Sequence, residues 1–472
     1  MAKLGQFAGA ETGASVKARG NTHTTPPFIS GYVEGLPVVR IRRAIQGQSI
    51  SGAEGCKVTW RVLMLSWEYP PNHVGGLGRH VRHISSSLLE RGAEVTVLTR
   101  SAAGGTRVWD DEGVKVLSVA PYELHPPDFI TWATQLNVSL LESAYRLLQA
   151  EDFDVIHAHD WVVAYAARAL KHSWNLPLVA TIHATEFGRQ RGLHNPSQAH
   201  ISETEWWLCY EACRVITCSR HMRREVQGLF RVPRDKVRVI PNGIDGSWFA
   251  VQRKTASHPL VIFVGRLVPE KGAHVLVDAM HDVVREFPDA ELVIAGAGPM
   301  EHDIRTRAYH GQLGDRVKLV GHLDDRGLRD LYSRAWIACF PSAYEPFGIV
   351  ALEAMATGVP CIAGNAGGLR EIISHGVTGL TVEPDNPRAL ADSVLYLLRN
   401  PKVAEEMALR AKAVSSENYS WKDIAGKTVA VYDEVLGAGA SWDRAPDTNN
   451  EPTRMESEDD QAAVAARLDS SS

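Results

Sequence analysis

The segment with the greatest chemical content is Ser342-Ala343-Tyr344-Glu345-Pro346-Phe347-Gly348-Ile349-Val350-Ala351-Leu352-Glu353. Gly348 is expected to open a helix, with Glu345 ahead of it and Glu353 two turns along, so both carboxylates can lie on the side facing a cleft. A glycosidase acid and base must flank one glycosidic bond from separate supports. A loop-to-helix pair is better placed to hold hydroxyls of one extended ligand. A capping carboxylate plus an exposed helical Glu explains the charges but not the apolar residues around them. A second segment, Val264-Gly265-Arg266-Leu267-Val268-Pro269-Glu270-Lys271-Gly272, sets Arg266 and Lys271 on either side of a turn. The two cations, one a fork and one a point charge, can converge on an anion such as a diphosphate. The plainer alternative is a pair of solvated surface charges.

The run Tyr69-Pro70-Pro71-Asn72-His73-Val74-Gly75-Gly76-Leu77-Gly78-Arg79 lies between a strand and its helix. Gly75 and Gly76 let backbone N–H groups approach an anion at a helix N-terminus, which favours a phosphate. A tight turn needing positive φ explains the same glycines equally well. Neither the dinucleotide fingerprint nor a nucleotide triphosphatase loop fits the spacing. His157-Ala158-His159-Asp160-Trp161 and Thr181-Ile182-His183-Ala184-Thr185-Glu186 end two further strands on the same expected side, where a neutral imidazole can hydrogen-bond a sugar hydroxyl. His-x-His plus one distant His lacks a compelling fourth ligand for zinc. Cys209, Cys213 and Cys218 match no zinc-ribbon spacing either, so no metal is expected.

These segments must be positioned by an α/β scaffold. Short Val/Ile/Leu runs alternate with helical patterns, the signature of parallel sheets with crossover helices. Strands are expected at 60–66, 94–99, 114–119, 154–157, 178–182 and 215–217, and the alternation restarts at 260–264, 291–295, 316–320, 336–340, 360–363 and 380–382. Leu77, Val81, Ile84 and Leu88 give one helix an apolar face closed by Arg91-Gly92, and Asn386-Pro387 starts another. Two doubly wound units in tandem imply a cleft at the carboxyl ends of their strands. The expected divisions are a disordered leader at 1–58, an N-terminal acceptor-side domain at 59–250, a C-terminal nucleotide-sugar-binding domain at 259–419, a helix at 420–436 and a disordered acidic tail at 437–472.

The length of 472 residues suits roughly two to four domains. Apolar residues at 44% and charged residues at 22% exclude a collagenous, coiled-coil or wholly disordered chain. The net charge of -5 hides a basic leader and an acidic tail, and a body without strong basicity gives no reason to expect a nucleic-acid partner. Sparse cysteines in apolar surroundings fit a reducing compartment. No apolar run of about 18 residues is present, so no integral membrane segment is expected and the location is expected to be cytoplasmic. Oligomeric state is not legible.

Taken in order, the motifs resemble those of the retaining nucleotide-sugar glycosyltransferases of family 4, which have the GT-B fold, over about residues 60–436. Glu345 to Glu353 resembles the family's Glu-x7-Glu motif, Arg266 and Lys271 its diphosphate-binding pair, and Gly75-Gly76-Leu77 and Asn365-Ala366-Gly367-Gly368-Leu369 its two glycine loops. Residues 157–161 are similar to the His-Asp-Trp segment of bacterial glycogen synthases, with His183 where those enzymes place a histidine contacting the donor sugar. His73 stands where starch-synthase-type enzymes carry a Lys, and Phe347 where they often carry a Cys. The resemblance implies glucose transfer from ADP-glucose or UDP-glucose to an α-1,4-glucan or maltooligosaccharide, as in glycogen synthesis, without a metal or resident cofactor. It implies catalytic roles for Glu345, His183, Arg266 and Lys271, and donor contacts from Gly75, Gly76, Phe347, Gly348, Ile349 and Glu353. A glycosyltransferase acting on a lipid or small acceptor is the alternative, with a nucleotide-sugar 2-epimerase behind it.

Overall fold

The computed structural model describes residues 60–437 except 73, 74, 103, 123 and 250. The expected leader, the expected tail beyond Gly437, and His73 therefore lie outside the described residues.

The first sheet has the order β3-β4-β2-β1-β5-β6-β7-β8, built from β1 (Arg61–Leu65), β2 (Glu94–Arg100), β3 (Arg107–Asp111), β4 (Val114–Val119), β5 (Val155–His159), β6 (Leu178–Ile182), β7 (Arg214–Thr217) and β8 (Val237–Val239). The second has the order β11-β10-β9-β12-β13-β14, built from β9 (Leu260–Val264), β10 (Glu291–Ala295), β11 (Val317–Gly321), β12 (Ile337–Phe340), β13 (Cys361–Gly364) and β14 (Leu380–Val382). Every described pairing is parallel except β3 with β4. Parallel strands are buried on both faces, which is why β9 reads as an unbroken apolar run and β1 and β6 as nearly unbroken ones.

Two strands go unannounced in the sequence. β3 is a largely exposed edge strand carrying Arg107, Asp110 and Asp111, so it has no apolar run to read. It pairs with β4 through Glu112 and Gly113, both at positive φ (55° and 95°), the backbone a two-residue hairpin turn requires. β8 is only three residues long and follows a short 3-10 turn at Arg234–Lys236.

Strand order reverses at β1, which lies between β2 and β5, and again at β9, between β10 and β12. Open α/β sheets leave a crevice at such a switch point. The Gly75-Gly76 loop follows β1, His159-Asp160 ends β5, Gly265-Arg266 follows β9, and the loop containing Glu345 follows β12. These four segments therefore sit beside the crossovers where the sheets open, and the fifth, with His183, follows β6 one strand further along.

The Gly76–Glu90 helix buries Val81, Ile84 and Leu88, and the last long helix, Trp421–Gly437, packs against it through Trp421, Ile424, Ala425 and Val435. The chain enters that helix through a bond from Ile244 N–H to Tyr419 O (2.8 Å). The Trp421 ring lies over Gly243, where a Cβ would come within 2.5 Å of it. Beneath, the Tyr432 hydroxyl meets His157 Nδ1 at 2.7 Å, with both groups buried. Tyr432→Phe strands that imidazole nitrogen away from water and should cost about 1–3 kcal/mol. The loss should appear as a lower urea midpoint at unchanged m-value; an unchanged midpoint contradicts the assignment.

Candidate active site

The loop after β12 is fixed from three sides. Ala343 N–H donates to Glu270 O (2.9 Å), which ties it to the turn after β9. Gly368 N–H donates to Glu345 O (2.7 Å), which ties it to the loop after β13. These backbones approach so closely that a Cβ on Gly367, at φ 53°, would fall 2.1 Å from Glu345 O, and one on Gly272, at φ 71°, 2.3 Å from Pro341 O. The third side is the first domain: Ser219 Oγ donates to Pro346 O (2.7 Å), and the Tyr344 hydroxyl donates to Glu225 Oε1 (2.8 Å).

Held this way, Glu345 Oε2 accepts from Lys271 Nζ at 2.7 Å, with the two side chains only 12% and 16% exposed. Partial burial strengthens such a pair over a surface one. Arg266 is not gathered in: its side chain is 47% exposed and makes a long 3.4 Å contact with Glu270. The structure thus brings Lys271 and Glu345 together and leaves Arg266 at the rim.

Gly348, at φ 114°, starts the Ile349–Thr357 helix. Glu353 is buried on it, with Oε1 accepting from Arg79 Nη1 (2.8 Å) and Oε2 from the Tyr332 hydroxyl (3.0 Å). Burial raises the Glu353 carboxyl above its ordinary value, and Arg79 opposes that rise. Arg79 also pairs with Asp325. Glu353 does face the first domain, but with both oxygens engaged, so a ligand hydroxyl reaching it must displace Arg79 or Tyr332. Phe347 is buried edge-on to Tyr419 at 5.9 Å.

The first glycine loop serves close approach rather than a left-handed turn. Gly75 is extended (φ -152°), and its N–H donates to Glu68 Oε2 (3.0 Å). A Cβ on Gly76 would lie 2.9 Å from Ile349 Cδ1, so this glycine admits the second domain's helix.

The strand-end histidines form one cluster. His159 Nδ1 and His183 Nε2 are 3.1 Å apart, and the His80 ring meets that of His183 edge-on at 4.7 Å. Burial drives every one of these imidazoles toward the neutral form, His183 and His157 to about 3 and His80 and His159 well below their ordinary value. Asp160 adopts φ 61° and accepts from His183 N–H at 2.7 Å, so backbone strain at this residue accompanies the placement of His183. Burial raises Asp160 to about 6, against the pull of Arg189.

Sequence reasoning missed Arg79, Tyr332 and His80 as members of the site. Arg79 has a weak signal, one turn into the helix that Gly76 opens. Tyr332 and His80 have none, because each is one ordinary residue on a helix face.

Two open parallel sheets with their switch-point loops in mutual contact, joined by a long terminal helix returning to the first, form the architecture of the GT-B glycosyltransferases. Residues 74–248 match the family model described as Glycosyltransferase Family 4, and residues 246–414 the one described as Glycosyl transferases group 1. The chain is 38% identical over 389 residues to the glycogen synthase of Mycobacterium tuberculosis, a match covering 79% of this chain and 94% of that one. It is 29% identical to the alpha-maltose-1-phosphate synthase of Mycolicibacterium smegmatis, over 79% of this chain and 99% of that one. Among solved structures, the sucrose-phosphate synthase of Thermosynechococcus elongatus superposes with a TM-score of 0.70 at 24% identity, over 80% of this chain and 100% of that one. The chain belongs to the family-4 glycosyltransferases. Among the described residues, no helix is long and apolar enough to cross a membrane.

The neutral histidines set an acid limit. Each has an ordinary value of 6.5 and a lowered value when folded, so unfolding takes up protons below pH 6.5 and stability falls as pH drops. The loss is about 1.4 kcal/mol per histidine per pH unit. The buried carboxyls of Asp160, raised from 3.8 to about 6, and of Glu205 and Glu353, raised above their ordinary value, act in the opposite sense. The histidines outnumber these carboxyls, so urea unfolding should give a lower stability at pH 5.5 than at pH 7.5; a higher stability at pH 5.5 contradicts burial of these rings in neutral form.

Proposed function

We propose that the chain is a retaining, metal-independent glucosyltransferase that moves glucose from ADP-glucose or UDP-glucose to an α-1,4-glucan or maltooligosaccharide in the cytoplasm. The observation that carries this reading is the Lys271–Glu345 pair (2.7 Å), lodged between the loops that follow β9 and β12. Glu345 offers a carboxylate to the hydroxyls of a hexose. Lys271 offers a cation to the diphosphate that leaves. A donor entering here exchanges one internal ion pair for two ligand contacts of matching charge.

In this reading Lys271, with Arg266 swinging in from the rim, stabilises the departing diphosphate in place of a metal ion. The leaving group stays paired beside an oxocarbenium-like sugar, which lets the acceptor arrive on the same face and retains configuration. His183, neutral through burial, accepts or donates a hydrogen bond on the O6 side of the sugar. Gly75, Gly76, Phe347, Gly348 and Ile349 shape the donor wall, and Glu353 meets the ribose after exchanging Arg79. The 38% identity to a glycogen synthase supports a glucan acceptor. A second reading, a phosphorylated sugar acceptor such as glucose 1-phosphate, is favoured by the 29% identity to a maltose-1-phosphate synthase.

Incubation with ADP-glucose, UDP-glucose and GDP-mannose, each with maltooligosaccharide, with glucose 1-phosphate, or alone, separates these readings by mass spectrometry of the products. A hexose ladder from one glucose donor establishes the glucan reading. A single disaccharide phosphate establishes the second, and neither product from any donor overturns both. Lys271→Ala should lower kcat about 10^2–10^3-fold while the protein stays folded; near-normal turnover removes Lys271 from the diphosphate site.

A further inference from the structure

The nitrogens of His80, His159 and His183 lie within 4.8 Å of one another, from three separate elements: the Gly76–Glu90 helix, the end of β5 and the residue after β6. We propose that these imidazoles form a binding site for one divalent first-row transition ion, zinc foremost, at the floor of the cleft. Zinc takes imidazole nitrogens at about 2.0–2.1 Å in tetrahedral array, which sets neighbouring ligand atoms roughly 3.3 Å apart. His159 Nδ1 and His183 Nε2 are already 3.1 Å apart. The His80 ring approaches them edge-on, at 4.7 Å from His183 and 5.4 Å from His159 between centroids.

The surroundings orient the rings as a metal site requires. His80 Nδ1 lies 2.7 Å from Asn242 Oδ1, which can only accept, so the proton sits on Nδ1 and Nε2 keeps its lone pair. His159 Nδ1 and His183 Nε2 hold one proton between them across their 3.1 Å hydrogen bond, and an ion bound to both nitrogens would release it. His157 stacks on His159 at 4.3 Å but spends both nitrogens on Tyr432 and Thr181, which makes it a wall rather than a ligand. His183 is only partly buried where His80 and His159 are buried, so a water completing the coordination would have to arrive on its side. Among the described residues this is the one cluster of such side chains with ligand spacing.

An ion here takes up the His183 nitrogen and places a dication beside the hexose. Resting on the functional reading above, the ion and the donor then compete for His183, and each lowers the other's apparent affinity.

Metal binding can be tested on the full chain without any sugar nucleotide. Zinc is titrated in competition with a chromogenic chelator, and cobalt(II) is followed by its visible bands. The expected result is one equivalent held at about micromolar Kd or tighter, with the intense bands of tetrahedral cobalt. His80→Gln should weaken zinc binding about 10–100-fold, and Asn242→Asp, which gives His80 a carboxylate partner, should strengthen it roughly tenfold. Absence of a tight equivalent on the wild-type chain overturns the site, whatever the folding of the variants. Weak octahedral cobalt bands, or equal zinc affinity of His80→Gln and wild type, overturn it as well. Zinc should also inhibit transfer competitively with the donor. Tight zinc with undiminished transfer keeps the metal site and contradicts the placement of His183 against the sugar, so the two proposals fail separately.

Discussion

A carboxylate buried between two domains has to be matched by a cation, and in this molecule Arg79 matches Glu353. The two residues belong to different sheets' helices, yet their side chains meet at 2.8 Å with Glu353 almost wholly shielded from water. Tyr332 takes the second oxygen and Asp325 the other side of the guanidinium, so every charge in the group has a partner. Removing one member leaves an uncompensated charge in a poorly polarisable setting. The Ile349–Thr357 helix is thereby fixed against the Gly76–Glu90 helix, and Gly76 gives Ile349 the space to arrive.

The loop that carries Glu345 leads directly into that helix. Once the helix is set, the loop before it is threaded between Gly367-Gly368 on one side and Ser219 and Glu225 on the other, and Glu345 has one place to go. Lys271 reaches it because the turn after β9 is hydrogen-bonded to the same loop. On the first domain, a strained Asp160 and the buried rings behind it hold His183. Lys271 with Glu345 and Arg79 with Glu353 are mutually paired, while Arg266 stays at the rim.

Much of this architecture is legible in the sequence because parallel strands bury both faces and leave unbroken Val/Ile/Leu runs between helical patterns. The runs that become β1, β2, β4 to β7 and β9 to β14 stand out for that reason, while the polar edge strand β3 and the three-residue β8 do not. The Asn386-Pro387 helix start is likewise readable, and the Asn386 side chain accepts from Ala389 N–H at 3.0 Å. Within the site, Glu345 and Lys271 could be singled out because loop glycines frame each of them. Their pairing could not, since it depends on a crossing of two loops separated by some seventy residues. Arg79, Tyr332 and His80 stayed hidden for a similar reason: each lies on an amphipathic helix, where a polar residue has no local mark of what faces it. The glycines of the first loop are equally well explained by an anion or a turn, and in the structure Gly76 gives room to Ile349 while a Cβ at Gly75 would meet nothing within 4 Å.

The dependence on the interdomain pair is tested most directly by a double-mutant cycle. Arg79→Met, Glu353→Gln and the combined variant are unfolded in urea alongside the wild type, with fluorescence and circular dichroism read in parallel. A coupling energy of about 2 kcal/mol or more between the two positions, with the double variant no worse than the worse single one, is the expected result. Additive losses, with a coupling near zero, would show that the domains are held by their other contacts, apolar and polar, without this pair and would contradict the account.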